Sequence, residues 1–266
     1  MKLSQIFVYP IKSCQGLNLT SAELGEFGIQ GDRRWMLVDE DGLFISQRKN
    51  PELAHIQVID SKGQLIIQHP DTESRLYLEK QLPPQTIRSS VTVWKDTLKL
   101  KTYSDSVSEW FSRLLNRRVR LVVQEDQDHR KTQCQSSNVS LADGYPLLVA
   151  TEASLKEING QLTTSTDWRN YRPNLVIDGD TLKPHVEDTW QRLQIGDQVI
   201  IRMTTPCARC LLTTVDPDKG ERRPDQEPLK TLAKYRKQGG KVNFGMNAVI
   251  ERGGVINRHD AIVLLD

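Results

Sequence analysis

Cys207 and Cys210 form a C-x-x-C step immediately after Pro206, and sulfur is the most reactive side-chain chemistry this chain offers. Such a pair has three chemical readings. A redox dithiol needs its thiolate stabilised at a helix start, whereas the apolar run from Leu211 to Val215 reads as a strand. Structural zinc needs four ligands, and the other cysteines, Cys14 and Cys134, and the five histidines are scattered singly. A single thiolate can also bind a soft metal centre, and Arg209, between the two cysteines, favours the thiolate. The plain alternative is a pair of buried, inert thiols. Cations supply the second pattern. Lys12-Ser13 follows a strand and Pro10, Gly31-Asp32-Arg33-Arg34 precedes a strand, and Arg169 to Asn174 precedes another. Arginine grips phosphate with two parallel hydrogen bonds, and lysine and serine add single contacts. Each cluster alone reads as a solvated surface, and the sequence does not show that they converge. Asp216-Pro217-Asp218-Lys219-Gly220 imitates a calcium loop, but its glycine stands fifth rather than sixth, so it reads as a turn. Motifs of serine hydrolases, zinc proteases, P-loop enzymes and dinucleotide binders do not occur.

The elements that would position these residues are mostly short strands. Ile6 to Tyr9 stops at Pro10. Trp35 to Val38 and Leu43 to Ser46 flank Asp39 to Gly42, the pattern of a hairpin with a longer loop. His55 to Ile59 pairs by pattern with Leu65 to Ile67, and Thr92 to Trp94 with Leu98 to Leu100. The first helix spans Ser104 to Asn116, with Val107, Trp110, Phe111, Leu114 and Leu115 at helical spacing. A polar stretch from Glu125 to Asn138 is the expected seam between two halves, 1–122 and 123–266. Beyond it come a buried strand, Pro146 to Ala150, and a helix opened by Thr151 or Ser154. Further strands are expected at Asn174 to Ile177, Val199 to Ile201 and Leu211 to Val215, then a helix from Leu229 to Lys237, and strands at the end.

Composition bounds the rest. The chain has 266 residues, enough to bury a core without disulfide staples. Lys plus Arg is 36 and Asp plus Glu 34, a net charge of +2. That balance argues against a nucleic-acid binder, which needs a basic excess. No run approaches the roughly 20 apolar residues of a membrane helix, and the N-terminus runs straight into a strand with no apolar leader. A cytoplasmic protein with no membrane partner is expected.

Taken together, the motifs resemble the MOSC superfamily, the molybdenum cofactor sulfurase C-terminal-like proteins. Tyr9 to Gly16 and Gly31 to Trp35 resemble its N-terminal β-barrel domain. Asn170 to Asn174, Asp188-Thr189-Trp190, Ile195-Gly196-Asp197 and Cys207 to Pro217 resemble the MOSC domain itself. Within the superfamily the likeness is to bacterial YcbX-type proteins and the mitochondrial amidoxime-reducing component. The resemblance implies a mainly β, α+β fold: an N-terminal barrel-like domain packed on a MOSC barrel, with a ligand between them. It implies a molybdenum cofactor (Mo-molybdopterin) with Cys210 as the thiolate on molybdenum. Lys12, Ser13, Arg33, Arg172 and Asn174 are the matching cofactor-binding positions, and Asp143 and Asp216 are the acids placed by position to manage protons. The implied activity is reduction of small N-hydroxylated compounds. No clustered cysteines for an iron–sulfur centre are present, so electrons are expected from a separate flavin or iron–sulfur protein. Two other classes stay open: a sulfur or cofactor carrier using Cys210, and a pterin-binding protein without turnover.

Overall fold

The computed structural model describes residues 1–265. Its largest element is a nine-stranded sheet. Across it the strands run Leu17–Leu19, Lys2–Val8, Leu175–Asp178, Leu147–Thr151, Lys241–Arg252, Val199–Ala208, Arg192–Ile195 and Ile262–Leu265, with Lys237–Gln238 added to the long strand. All neighbours are antiparallel except Leu147–Thr151 with Leu175–Asp178. A parallel pair needs a crossover, and here the helix Glu152–Gly160 and the helical turn Trp168–Tyr171 provide it. The two ends of the sheet meet: Lys2 bridges Ala261, and Leu3 exchanges backbone hydrogen bonds with His259 and Asp260. The sheet is therefore a closed barrel, which removes the exposed edges of an open sheet. Leu3, Ile6, Val149, Leu175, Leu193, Ile201 and Ala248 fill its interior, all fully buried.

The first strand of the chain thus belongs to the same barrel as strands near residue 250. The stretch from Trp35 to Val123 builds a second body. Trp35–Val38, Arg120–Val123, Asp96–Thr102 and Arg88–Val93 form a four-stranded sheet, and Gln57–Ser61, Gln64–His69 and Thr72–Glu79 form a meander. Gln64–His69 alternates buried and half-buried residues, the period of a half-covered strand. The helix Asp105–Leu114 buries Val107 and Phe111 against this body, as its spacing predicts. Thr151 caps the helix Glu152–Gly160, its side chain accepting the Ser154 N–H. Among the described residues no helix is long and apolar enough to cross a membrane.

Three expectations from the sequence change. Leu43 to Ser46 is no strand: it touches Val38 through one bridge at Phe44, and the strand Trp35–Val38 takes the distant Arg120–Val123 as its ladder partner. Trp94 does not extend its strand but turns the chain with φ of 57°. Most important, Leu211–Thr214 is one turn of 3-10 helix that starts from Cys210. Thr213 bonds back to the Cys210 carbonyl through both its N–H and its hydroxyl, and the Thr214 hydroxyl donates to the Leu211 carbonyl. These local threonine bonds compete with a strand ladder.

Candidate functional site

One cavity, open to solvent, collects most of the residues singled out above. Lys12, Ser13 and Arg33 come from the loops that follow and precede the strands of the first half. Arg172 and Asn174 come from the approach to the strand Leu175–Asp178. Cys207 ends the long strand Val199–Ala208, and Cys210 opens the 3-10 turn after it. Asp143 lies at the rim. Asp216 does not join them. Its carboxylate accepts the N–H groups of Asp218 and Lys219 and so holds the turn that imitates a calcium loop.

Local backbone geometry aims these residues. Ser13, Arg33 and Arg172 all have positive φ, at 72°, 49° and 57°. A non-glycine residue there costs on the order of 1 kcal/mol, and such residues cluster where function demands them. Arg172 is the left-handed residue that ends the turn Trp168–Tyr171, which Asp167 and Asn170 cap reciprocally. The Asn170 side-chain amide also donates to the carbonyls of Thr213 and Val215, and Arg209 Nη2 donates to the Tyr171 carbonyl at 2.6 Å. These bonds clamp the Arg172 turn to the cysteine turn. Beneath them Tyr171 stacks on the buried Phe244 at 4.2 Å.

The polar groups divide into those already satisfied by protein and those left free. Lys12 Nζ sits 2.5 Å from Asp143 Oδ1 and 2.8 Å from the Leu141 carbonyl. Burial pushes the Lys12 ammonium down, and Asp143 opposes that shift. Burial alone would raise the Asp143 carboxyl, but Lys12, the Trp94 indole N–H and Arg48 outweigh it and hold it far below the usual range. Arg33 Nη1 pairs with the buried Asp32 at 2.5 Å and donates to Asn174 Oδ1 at 3.1 Å. Asn174 spends the rest of its amide on the Phe7 carbonyl and the Leu148 N–H. It therefore acts by fixing Arg33 and three strands rather than by presenting a free group.

Arg172 is different. Its guanidinium lies 4.2 Å from the centroid of Tyr9, whose ring also carries Arg33 at 4.1 Å. No carboxylate among the described residues pairs with it. Burial lowers its pKa to about 10 despite the help of Tyr9. Arg209 Nη1 donates to Cys207 Sγ at 3.1 Å, and its Nε is buried without a partner. Arg48, which the sequence reading passed over, has the same orphaned Nε. The signal was available, since Arg48 closes the apolar run Phe44-Ile45 as the other cations close theirs. Cys14, by contrast, is fully buried and pushed up to about 12, an inert thiol.

The cavity thus presents five cations against one carboxylate, with Lys12 and Arg33 neutralised and Arg172, Arg209 and Arg48 not. It also presents two half-buried sulfurs. No group of three or more His, Cys, Asp or Glu among the described residues could hold a metal ion. This donor set suits an anionic ligand carrying a soft metal whose remaining ligands travel with it.

Comparison with known proteins finds two family models along the chain. Residues 1–118 match the model of the MOSC N-terminal beta barrel domain, and residues 136–263 match the MOSC domain. The chain is 32% identical to the human mitochondrial amidoxime reducing component 2 over 88% of its own length and 72% of that protein. It is 32% identical to the mouse mitochondrial amidoxime-reducing component 1 over 99% of its length and 82% of that protein. It is also 32% identical to the molybdenum cofactor sulfurase of Oryza sativa subsp. japonica over 92% of its length, but spans only 32% of that longer protein.

Proposed function

Because the chain belongs to the MOSC family, with both the N-terminal β-barrel domain and the MOSC domain, we propose that it is a molybdenum-cofactor-dependent reductase of N-hydroxylated compounds. The observation that carries this reading is the meeting of Cys210 with unneutralised arginines in one cavity between the two halves. In this reading Cys210 holds molybdenum as the protein thiolate. Arg172 and Ser13 grip the phosphate end of the pterin, with Lys12 and Arg33 lending positive field and Asn174 fixing Arg33. When bound, the cofactor supplies two-electron reduction that takes the hydroxyl oxygen from nitrogen. The net change breaks the N–O bond and uses two electrons and two protons to give an N–H bond and water. The electrons come from a separate flavin or iron–sulfur protein.

The chain's own residues set the conditions for that chemistry. Asp143 is held ionised by Lys12, so at neutral pH it has no proton to give and is too weak a base to take one, and its main work is to anchor Lys12. Protons then reach the site through water at the open mouth. Arg209 donates a hydrogen bond to the sulfur of Cys207, and by clamping Tyr171 it fixes the backbone that leads into Cys210. A second reading is a sulfur or cofactor carrier without turnover. It is favoured by the second sulfur in the cavity, Cys207, and by the likeness to a relative named molybdenum cofactor sulfurase.

The test is metal content together with turnover. Protein from cells that make the cofactor should carry near-stoichiometric molybdenum by mass spectrometry and reduce benzamidoxime with an artificial electron donor. Cys210→Ser should lose both, while Cys207→Ser keeps most of its molybdenum. Stoichiometric molybdenum with no turnover would favour the carrier, and cyanide-releasable sulfur on metal-free protein would favour the persulfide form of it.

A further inference from the structure

Arg48 stands on a wall of the cavity apart from the Tyr9 cluster. Its guanidinium packs 4.5 Å from the Trp94 ring centroid, and Trp94 lies 5.0 Å from Phe44 at an interplanar angle of 55°. The Trp94 indole N–H donates to Asp143 at 3.1 Å. The Arg48 carbonyl accepts a hydrogen bond from Arg222, which pins its backbone. Among the described residues no side-chain hydrogen bond, ion pair or ring contact joins Arg48, Trp94 or Phe44 to Tyr9, Arg33 or Arg172. Lys12 links the two groups, its ammonium 5.2 Å from the Phe44 ring centroid and paired with Asp143, but Arg48 itself lies outside the Tyr9 stack, a cation backed by two aromatic rings. Phe44, Leu147, Leu148 and Leu212 supply apolar lining to the same cavity.

Several observations say what this unit wants. Arg48 forms no ion pair with any carboxylate among the described residues, and its Nε is buried without a hydrogen-bond acceptor. The carboxylate nearest by field, Asp143, is taken up by Lys12. A buried, unpaired guanidinium donor is costly, and an oxyanion that satisfies it is rewarded. Trp94 holds a left-handed backbone at the tip of its hairpin and remains 43% exposed, its ring set against the cavity-lining residues Phe44, Arg48 and Asp143 rather than in a core.

We infer that this wall is a substrate subsite that selects N-hydroxylated compounds bearing a carboxylate. The carboxylate pairs with Arg48 and the apolar body lies along Phe44 and the leucines. The inference deepens the reductase reading and rests on it for the N-hydroxylated part of the substrate. A neutral substrate leaves the Arg48 donor unpaired, whereas a carboxylated one satisfies it, a difference of about tenfold or more in binding. No new bond-making step is involved, because Arg48 touches the substituent and not the N–O bond.

The experiment uses the cofactor-loaded protein and three probes: benzamidoxime, 4-carboxybenzamidoxime and 4-(aminomethyl)benzamidoxime. Turnover is measured with an artificial donor. Binding to resting protein is measured by calorimetry with no donor present. The wild type should prefer the carboxylated probe in kcat/KM over the neutral one. Arg48→Met should lower that ratio by about tenfold, Arg48→Lys should keep most of it, and Arg48→Glu should turn the preference toward the aminomethyl probe. The calorimetric Kd for the carboxylated probe should weaken by a similar factor in Arg48→Met, with molybdenum content at the wild-type level. An unchanged ratio in Arg48→Met overturns the subsite. So does an equal loss with all probes accompanied by loss of molybdenum, which would make Arg48 a cofactor anchor. If the protein reduces none of the probes but Arg48→Met still weakens binding of the carboxylated one, the reductase reading fails and the anion subsite stands.

Discussion

Replacing Arg172 by methionine should make the protein without its cofactor more stable and its anion binding worse. Arg172 is a half-buried guanidinium with no carboxylate partner among the described residues, its pKa lowered by burial from an ordinary 12.5 to about 10. A base whose pKa is depressed on folding costs stability at every pH below its folded value, and that cost fades only as pH rises through it. Physiological pH lies well inside the costly window. The shift corresponds to roughly 3 kcal/mol in a dry site, and water in the open cavity screens a large part of it. Methionine also forfeits the stacking of the cation on Tyr9, worth about 0.5–2 kcal/mol. The left-handed backbone strain is the same for both side chains. The balance is a gain of about 1 kcal/mol, or about 2–4 °C in Tm for a chain of this size. Thermal melts of cofactor-free wild type and Arg172→Met, with and without inorganic phosphate, read both effects. The wild type should melt lower without phosphate and gain more from it. A variant that melts several degrees below the wild type, with an undiminished response to phosphate, would refute the reasoning and make Arg172 a structural clamp.

Two further perturbations follow from the same geometry. Asp143→Asn leaves the buried Lys12 ammonium without its counter-charge, with only neutral acceptors such as the Leu141 carbonyl, and should cost about 1–3 kcal/mol in urea unfolding at pH 7. Because the Asp143 pKa is depressed on folding, its contribution is present above the ordinary carboxylate pKa of about 4 and is lost as pH falls through the folded value. The gap between wild type and variant should therefore narrow in unfolding curves taken near pH 3, and a constant gap would mean the pair is not ionised. Gly16→Ala puts a methyl group into the Tyr9 ring, whose hydroxyl is tied to the Pro173 carbonyl at 3.0 Å and whose face carries Arg33 and Arg172. It should cost about 1–3 kcal/mol and lower molybdenum retention, and a variant with wild-type metal content would show that the Tyr9 platform does not hold the cofactor.

Much of the fold is legible in the residue pattern because it depends on local period and turn chemistry. The strands at Ile6, Ile66 and Ile201, the helices opened by Ser104 and Thr151, and the polar connection after Glu125 follow from alternation, helical spacing and caps. The chemical content of the site is legible too. A C-x-x-C step and strand-end cations are statements about residue type, and they hold whatever the fold does with them. The family resemblance adds their order along the chain.

Only the tertiary structure decides which of these residues act together. Antiparallel pairing sets the first strand beside Leu175–Asp178, and so sets Lys12 and Arg33 against Arg172 across more than a hundred residues of chain. Nothing in the spacing of Asp143 reveals that it neutralises Lys12, nor in Asn174 that its amide is spent on Arg33, because both facts are distances between separate elements. Arg48 looks like any surface cation until Trp94 packs against it and no carboxylate arrives. The strand expected after Cys210 fails for a local reason, threonine hydroxyls bonding back to the chain, whose outcome depends on the Asn170 clamp that holds the turn. A sequence specifies side-chain chemistry residue by residue. Charge balance and burial, which turn that chemistry into a site, belong to neighbours that only folding supplies.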